Sequence, residues 1–202
     1  GFKIDIYRLL RPLFRRIYKI LAISPKEFNH LTILNYSNVK FLPLPIEKSL
    51  SELKQSNHTG SNFNLLFVGG DRPIKGLRTA LQAFSILKKG NLNLKLYVLG
   101  KISKSFVSQN KAIISDNVVL LGHIKHLSNG FFKVFKNADC YINSSFCEGA
   151  PMAAYEAVAC RHALVLSDLP TLRSIFKSNA RYHNPNDAIK LASNISFYYR
   201  NK

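Results

Sequence analysis

Residues 144–160 read Ser-Ser-Phe-Cys-Glu-Gly-Ala-Pro-Met-Ala-Ala-Tyr-Glu-Ala-Val-Ala-Cys, and they hold all the glutamate found beyond residue 60. Glu148 lies in a turn containing Gly149 and Pro151, and Glu156 follows inside an alanine-rich segment that reads as helix. Eight residues of helix rise about 12 Å, too far for two carboxyls to share one proton or one metal ion. The same span exceeds the ~5–9.5 Å at which carboxyl pairs hydrolyse glycosidic bonds. An ionised carboxylate can instead accept from two adjacent hydroxyls, so the pair suits the two ends of an elongated, hydroxyl-bearing ligand. The plainer alternative makes Glu156 a helix-surface residue and Glu148 a carboxylate stabilised by a helix N-terminus.

A second stretch, Gly69-Gly70-Asp71-Arg72-Pro73-Ile74-Lys75-Gly76, follows an apolar run and precedes a helical pattern. Glycines allow close backbone approach, unpaired N–H groups at a helix start favour an anion, and Arg72 with Lys75 could neutralise a diphosphate. The stretch matches neither the G-x-G-x-x-G dinucleotide fingerprint nor the G-K-[ST] phosphate loop. By itself it also fits a tight turn with solvated cations.

Other chemistries find less support. Cys140, Cys147 and Cys160 form no C-x-x-C pair and have no histidine at ligand spacing, so no metal site is expected and free, buried or half-buried thiols in a reducing compartment are. His30, His58, His123, His126, His162 and His183 fit no motif and read as structural or surface residues. With 29 Lys+Arg against 11 Asp+Glu the formal charge is +18, which points to anionic partners. No run reaches the ~18 apolar residues of a membrane span, and no signal-peptide pattern opens the chain.

The elements that must position these residues follow from periodicity. Residues 2–22 put Ile6, Leu9, Leu10, Leu13, Ile17 and Leu21 on one helical stripe and Arg8, Arg11, Arg15 and Lys19 on another, predicting a basic amphipathic helix interrupted by Pro12. That helix either packs on its own domain or lies on an anionic membrane surface. Leu42-Pro43-Leu44-Pro45 predicts an extended segment, and residues 51–62 a linker. Beyond it, strands are expected at 64–68, 94–99, 118–121, 138–142 and 163–166. Helices are expected between them, including one from Gly76 striped by Leu77, Ala80, Leu81, Phe84 and Leu87, and a last one at 188–199. This alternation predicts an α/β fold, a Rossmann-like open parallel sheet with helices on both faces. Ligands of such sheets bind beyond the strands' carboxyl ends, where both distinctive loops fall.

Phe67-Val68-Gly69-Gly70 with Lys75-Gly76, Leu121-Gly122, Asn137-Ala138-Asp139, Ser144-Ser145, Glu148-Gly149 and Glu156-Ala157-Val158-Ala159-Cys160 together resemble the nucleotide-sugar-binding half of retaining glycosyltransferases with the GT-B fold, family 4. The resemblance runs over about residues 60–190. It implies a UDP- or GDP-sugar donor, with Glu148 on the sugar hydroxyls, Glu156 on the ribose hydroxyls, and Arg72 and Lys75 on the diphosphate. Gly69 and Gly70 would approach the donor through their backbone, and the N–H groups of Gly149, Ala150 and Met152 would add to the anion site. Glu148, Lys75 and Arg72 are then the catalytic set, and transfer with retention needs no metal or other cofactor. Acceptors in the family are glycans or lipid-linked saccharides, commonly at the cytoplasmic membrane face.

Three positions depart from the family pattern: Gly70 stands where an arginine is usual, Arg161 replaces a glycine, and Arg173-Ser174 occupies the region of a frequent glutamate. The resemblance also divides the chain into 1–45, a remnant of an N-terminal acceptor domain with its crossing segment, a linker at 46–62, and a nucleotide-sugar domain at 63–202 that stops short of the family's C-terminus. Two alternatives share parts of this pattern: a GT-B sugar-nucleotide epimerase, and a non-catalytic basic binding module. Nucleic acid is disfavoured as partner, because Phe131, Phe132, Phe135, Tyr198 and Tyr199 fall at helical core spacing and not on an exposed sheet.

Overall fold

The computed structural model describes residues 5–14, 16–53 and 62–201. The N-terminal part contains α1 (Ile6–Leu9), α2 (Arg11–Phe14), β1 (Ile20–Ala22), α3 (Pro25–Ile33), β2 (Val39–Phe41) and α4 (Lys48–Ser51). The expected helix over 2–22, interrupted at Pro12, is instead two single-turn helices leading into a strand. Pro12 has no N–H to donate back to residue 8, so the first turn ends at Leu10 and the chain restarts one residue before the proline. Strands β1 and β2 pair in parallel and, with α3, enclose a small core of Ala22, Leu31 and Tyr36. Residues 42–47 belong to no helix or strand, consistent with the two prolines. Residues 54–61 of the expected linker, and with them His58, lie outside the described residues.

The larger part alternates strictly. In order come β3 (Phe63–Val68), α5 (Leu77–Lys89), β4 (Leu94–Leu99), α6 (Lys104–Gln109), β5 (Val118–Gly122), α7 (Asn129–Lys136) and β6 (Cys140–Ile142). They are followed by α8 (Met152–Ala159), β7 (Ala163–Ser167), α9 (Pro170–Phe176), β8 (Arg181–His183) and α10 (Ala188–Arg200). All the expected strands and the α5 and α10 helices are present; α9 and β8 are additional. The sheet is wholly parallel, in the order β5-β4-β3-β6-β7-β8. It grows outward in both directions from the β3/β6 pair, so the strand order reverses there and leaves a crevice at their carboxyl ends.

Helices cover both faces. Phe63, Leu65 and Phe67 point toward α5 and α10, whereas Leu66 joins Phe131, Phe135, Ala154 and Leu172 on the other side. The five stripe residues predicted for α5 are all buried. Each large side chain so buried contributes roughly 1.5–3 kcal/mol, and because both faces are covered, Leu65–Val68 of β3 reads as an apolar run and not an alternating one.

Candidate functional site

Two loops leave the carboxyl ends of β3 and β6 and are fastened to each other. The first rises from Val68 through Gly69 and Gly70 into a 3-10 turn, Pro73–Lys75, before α5. The Phe146 N–H donates to the Ile74 carbonyl at 2.8 Å, and the Ser144 hydroxyl to that of Gly76, also at 2.8 Å. The contact at Gly76 is so close that a Cβ there would meet the Ser144 carbonyl oxygen at 2.2 Å, and its φ of +67° is in the left-handed region.

Across this seam the Lys75 Nζ lies 2.6 Å from Glu148 Oε1, with the two side chains 18% and 6% exposed. Ser145 Oγ and Asn143 Nδ2 donate to the same oxygen at 2.6 and 3.1 Å. With all three donors on Oε1, Glu148 is held in one orientation. The sequence marks Lys75 and Glu148 as separate features; folding joins them.

Glu156 is buried, at 5% exposure, in the wall of a cleft of about 590 Å³. This cleft opens on β3, β4 and β5 and is lined also by Gly69, Arg72, Lys101, His123 and Met152. Glu156 is thus no helix-surface residue. His126 Nε2 sits 2.6 Å from Glu156 Oε1, and the Phe131 ring edge holds the imidazole with centroids 4.8 Å apart. The sequence alone marks His126 only as a structural or surface histidine. The signal that could have found it is position: it follows the carboxyl end of β5, the third strand whose end reaches the cleft.

The remaining expected residues fall into place less uniformly. Arg72 is exposed, lines the cleft, and donates from Nε to the Gly69 carbonyl at 3.4 Å. Gly70 cannot bear the arginine usual at its position, because a Cβ would meet the Lys101 carbonyl at 2.3 Å. Asp71 bridges the same gap: the Ser103 hydroxyl and N–H hold its carboxyl below the usual carboxylate range. The Met152 N–H is already committed to the Ala150 carbonyl at 2.9 Å. Gly149 and Ala150 line a different cavity, about 330 Å³, shared with Tyr7, Ser24, Lys26, Glu27 and His30.

Arg161 adopts φ +62° just after α8, the left-handed position that ends many helices and suits glycine. Arg173 pairs with Asp168 through two hydrogen bonds, 2.6 and 2.8 Å. Cys140 and Cys160 are buried, but Cys147 is exposed beside Glu148, against the expectation of a buried or half-buried thiol. Among the described residues no three His, Cys, Asp or Glu side chains converge as metal ligands, and no helix is long and apolar enough to cross a membrane.

An open parallel sheet of this kind is shared with a known group. The family described as "Glycosyl transferases group 1" matches residues 50–202, and the chain belongs to it. The capsular polysaccharide biosynthesis glycosyltransferase CapM of Staphylococcus aureus is 25% identical over 154 residues, covering 70% of this chain and 38% of that protein. In fold, the chain is similar to HepE of Anabaena, solved in complex with UDP and glucose (TM-score 0.76, 16% identity, 97% of this chain and 57% of that one). It is also similar to sucrose-phosphate synthase of Thermosynechococcus elongatus (TM-score 0.75, 18% identity, 96% of this chain and 52% of that one). The architecture is that of GT-B glycosyltransferases, and this chain spans 38% of CapM and little more than half of the two solved proteins.

Proposed function

We propose that this chain is the donor-binding part of a retaining glycosyltransferase that moves a sugar from a UDP- or GDP-sugar to a glycan or lipid-linked saccharide of the cell envelope. The observation that carries this reading is the meeting of Lys75 with Glu148 across the loop seam, next to a cleft walled by Glu156. The nucleotide occupies the cleft, with Glu156 accepting from the ribose hydroxyls and Lys75 and Arg72 facing the diphosphate. Glu148 accepts from the sugar hydroxyls. As the sugar–phosphate bond breaks, negative charge builds on the departing diphosphate, and a cation already positioned beside it stabilises the transition state without rearranging. The Gly149 and Ala150 N–H groups face the sugar side, and the cavity they share with Tyr7 and Glu27 lies toward the acceptor.

The relatives support this reading by what they are: a capsular polysaccharide glycosyltransferase, and a fold neighbour solved with UDP and glucose. Calorimetric titration with UDP-glucose and GDP-mannose tests it. One of the two binds, Glu156→Ala weakens it about tenfold to a hundredfold by removing charge-assisted hydrogen bonds, and EDTA changes nothing. Equal affinity in Glu156→Ala, or no binding of either sugar nucleotide, overturns the reading.

The same reading places the protein at the cytoplasmic face of a membrane. Leu9 and Leu13 are 67% and 60% exposed beside Arg8 and Arg16 in a chain of formal charge +18, a combination that suits anionic headgroups. Co-sedimentation with vesicles containing phosphatidylglycerol is expected at low salt and is lost in Leu9→Ser/Leu13→Ser. Equal recovery with purely zwitterionic vesicles contradicts it.

A further inference from the structure

Glu148 is held from behind by a chain of contacts that crosses three strands. Asn143, which follows β6 and is 4% exposed, uses every polar group it has. Its N–H donates to the Val165 carbonyl at 2.9 Å, and its side-chain oxygen accepts from the Ser145 N–H at 3.2 Å. Nδ2 reaches Ser145 Oγ and Glu148 Oε1, both at 3.1 Å. Its carbonyl meets Ser167 Oγ at 3.2 Å and His183 Nε2 at 3.1 Å.

His183 ends β8, at the sheet's edge, and reaches past β7 to the end of β6. It is 2% exposed, and its second ring nitrogen, Nδ1, lies 2.8 Å from the Asn184 carbonyl. Burial lowers its pKa, while the Asn184 and Asn143 carbonyls and the nearby Asp187 and Asp168 act in the opposite direction. The residue opposite it on β7 is Ser167, which is also buried and also bonded to the Asn143 carbonyl, so His183 completes a polar layer behind Asn143 where the preceding β7 residues, Val165 and Leu166, are apolar. Both ring nitrogens face carbonyl oxygens, and the neutral imidazole that burial favours has a single N–H; in the Nε2–H tautomer it donates to the carbonyl of Asn143, the residue that orients Glu148.

We propose that His183 is a positioning residue for the donor sugar, donating from Nε2–H to the Asn143 carbonyl and thereby fixing the Asn143 amide and the Glu148 carboxylate. This rests on the reading of Glu148 as the sugar contact. It separates His183 from the nucleotide, which the cleft on the other side of β3 receives.

Two conservative variants discriminate between the ring nitrogens, since a glutamine amide nitrogen falls where Nε2 lies and an asparagine one where Nδ1 lies. The measurement is the affinity of the 202-residue chain for UDP-glucose and for UDP alone, or for GDP-mannose and GDP if those bind instead. His183→Leu and His183→Asn are expected to lose about fivefold in sugar-nucleotide affinity, the effect of one hydrogen bond. Affinity for the nucleotide alone stays as in the wild type, and His183→Gln restores the sugar contribution. In a Glu148→Gln background, His183→Leu has no further effect.

Thermal melts identify any variant that fails to fold, and the glutamine and asparagine variants decide the matter if the leucine one does. Unchanged sugar-nucleotide affinity in His183→Asn, or an equal loss for nucleotide and sugar nucleotide, overturns the proposal. A wild-type chain that binds neither nucleotides nor their sugars overturns the reading of the cleft itself, and this proposal with it.

Discussion

Lys75→Ala is expected to abolish sugar-nucleotide binding, by at least about a hundredfold, and to destabilise the fold at the same time. Both effects come from one position. Lys75 ends the 3-10 turn of the first loop, and its ammonium sits 2.6 Å from a carboxylate that is 6% exposed. As the proposed partner of the donor diphosphate it would supply charge-assisted hydrogen bonds worth about 1.5–3 kcal/mol each. As the partner of Glu148 it neutralises a charge that has little water around it. Removing one member of a buried pair costs about 3–5 kcal/mol. The Ser145 and Asn143 donors remain on Glu148, so the lower end, about 3 kcal/mol, is expected.

The two effects separate in the double variant Lys75→Met/Glu148→Gln, where the uncompensated charge is gone but so is the cation. Stability measured by urea unfolding should largely recover, and binding should not. Recovery of binding in the double variant would place the diphosphate elsewhere.

The second large effect belongs to the seam itself. Gly76→Ala forces a side chain into φ +67° and drives a Cβ to 2.2 Å from the Ser144 carbonyl oxygen. The left-handed conformation alone costs roughly 1–2 kcal/mol for an L-residue. The contact cannot be relieved by turning a side chain, because the atom it strikes is backbone in the loop that carries Glu148. A loss of about 3 kcal/mol or more is expected, with weaker sugar-nucleotide binding as the loops part. Gly122→Ala is the matched control. Its φ is +69°, yet nothing lies within 4 Å of an added Cβ, so only the conformational cost of roughly 1–2 kcal/mol should appear. Equal losses at Gly76 and Gly122 would show that the seam bears no strain.

The parts of this arrangement that could be read from the chain are those in which one element announces itself. The buried stripe of α5 and the apolar run Leu65–Val68 of β3 report burial directly, so their boundaries fall within one or two residues of expectation. Strand β8 does not: Arg181, Tyr182 and His183 carry no apolar pattern, and only pairing with β7 makes them a strand. In the N-terminal region the apolar and basic stripes of 2–22 suit a helix, but a three-residue strand and Pro12 decide otherwise.

At the site, residue type and order point to Lys75, Glu148 and Glu156 as candidates, and the fold brings the first two into contact and lines the cleft with the third. The partners that hold them could not be found in this way, because His126, Asn143 and Ser145 gain their meaning from contacts 30, 5 and 3 residues away in sequence. The sequence departure at Gly70 also acquires a cause: the first loop passes too close to Lys101 for any side chain there.

The central claim is that the sugar nucleotide lies across the β3 and β6 loops, with its ribose at Glu156 and its diphosphate at Lys75. Titration of UDP and of GDP into the isotopically labelled chain, followed by amide NMR, tests this residue by residue. Saturable shifts at Gly69, Gly70, Lys101 and around Glu156 with one of the nucleotides, extended to Gly149 and Ala150 only when its sugar is attached, are the predicted result. Shifts confined to the basic N-terminal turns, or spread over the surface without saturation, would contradict it.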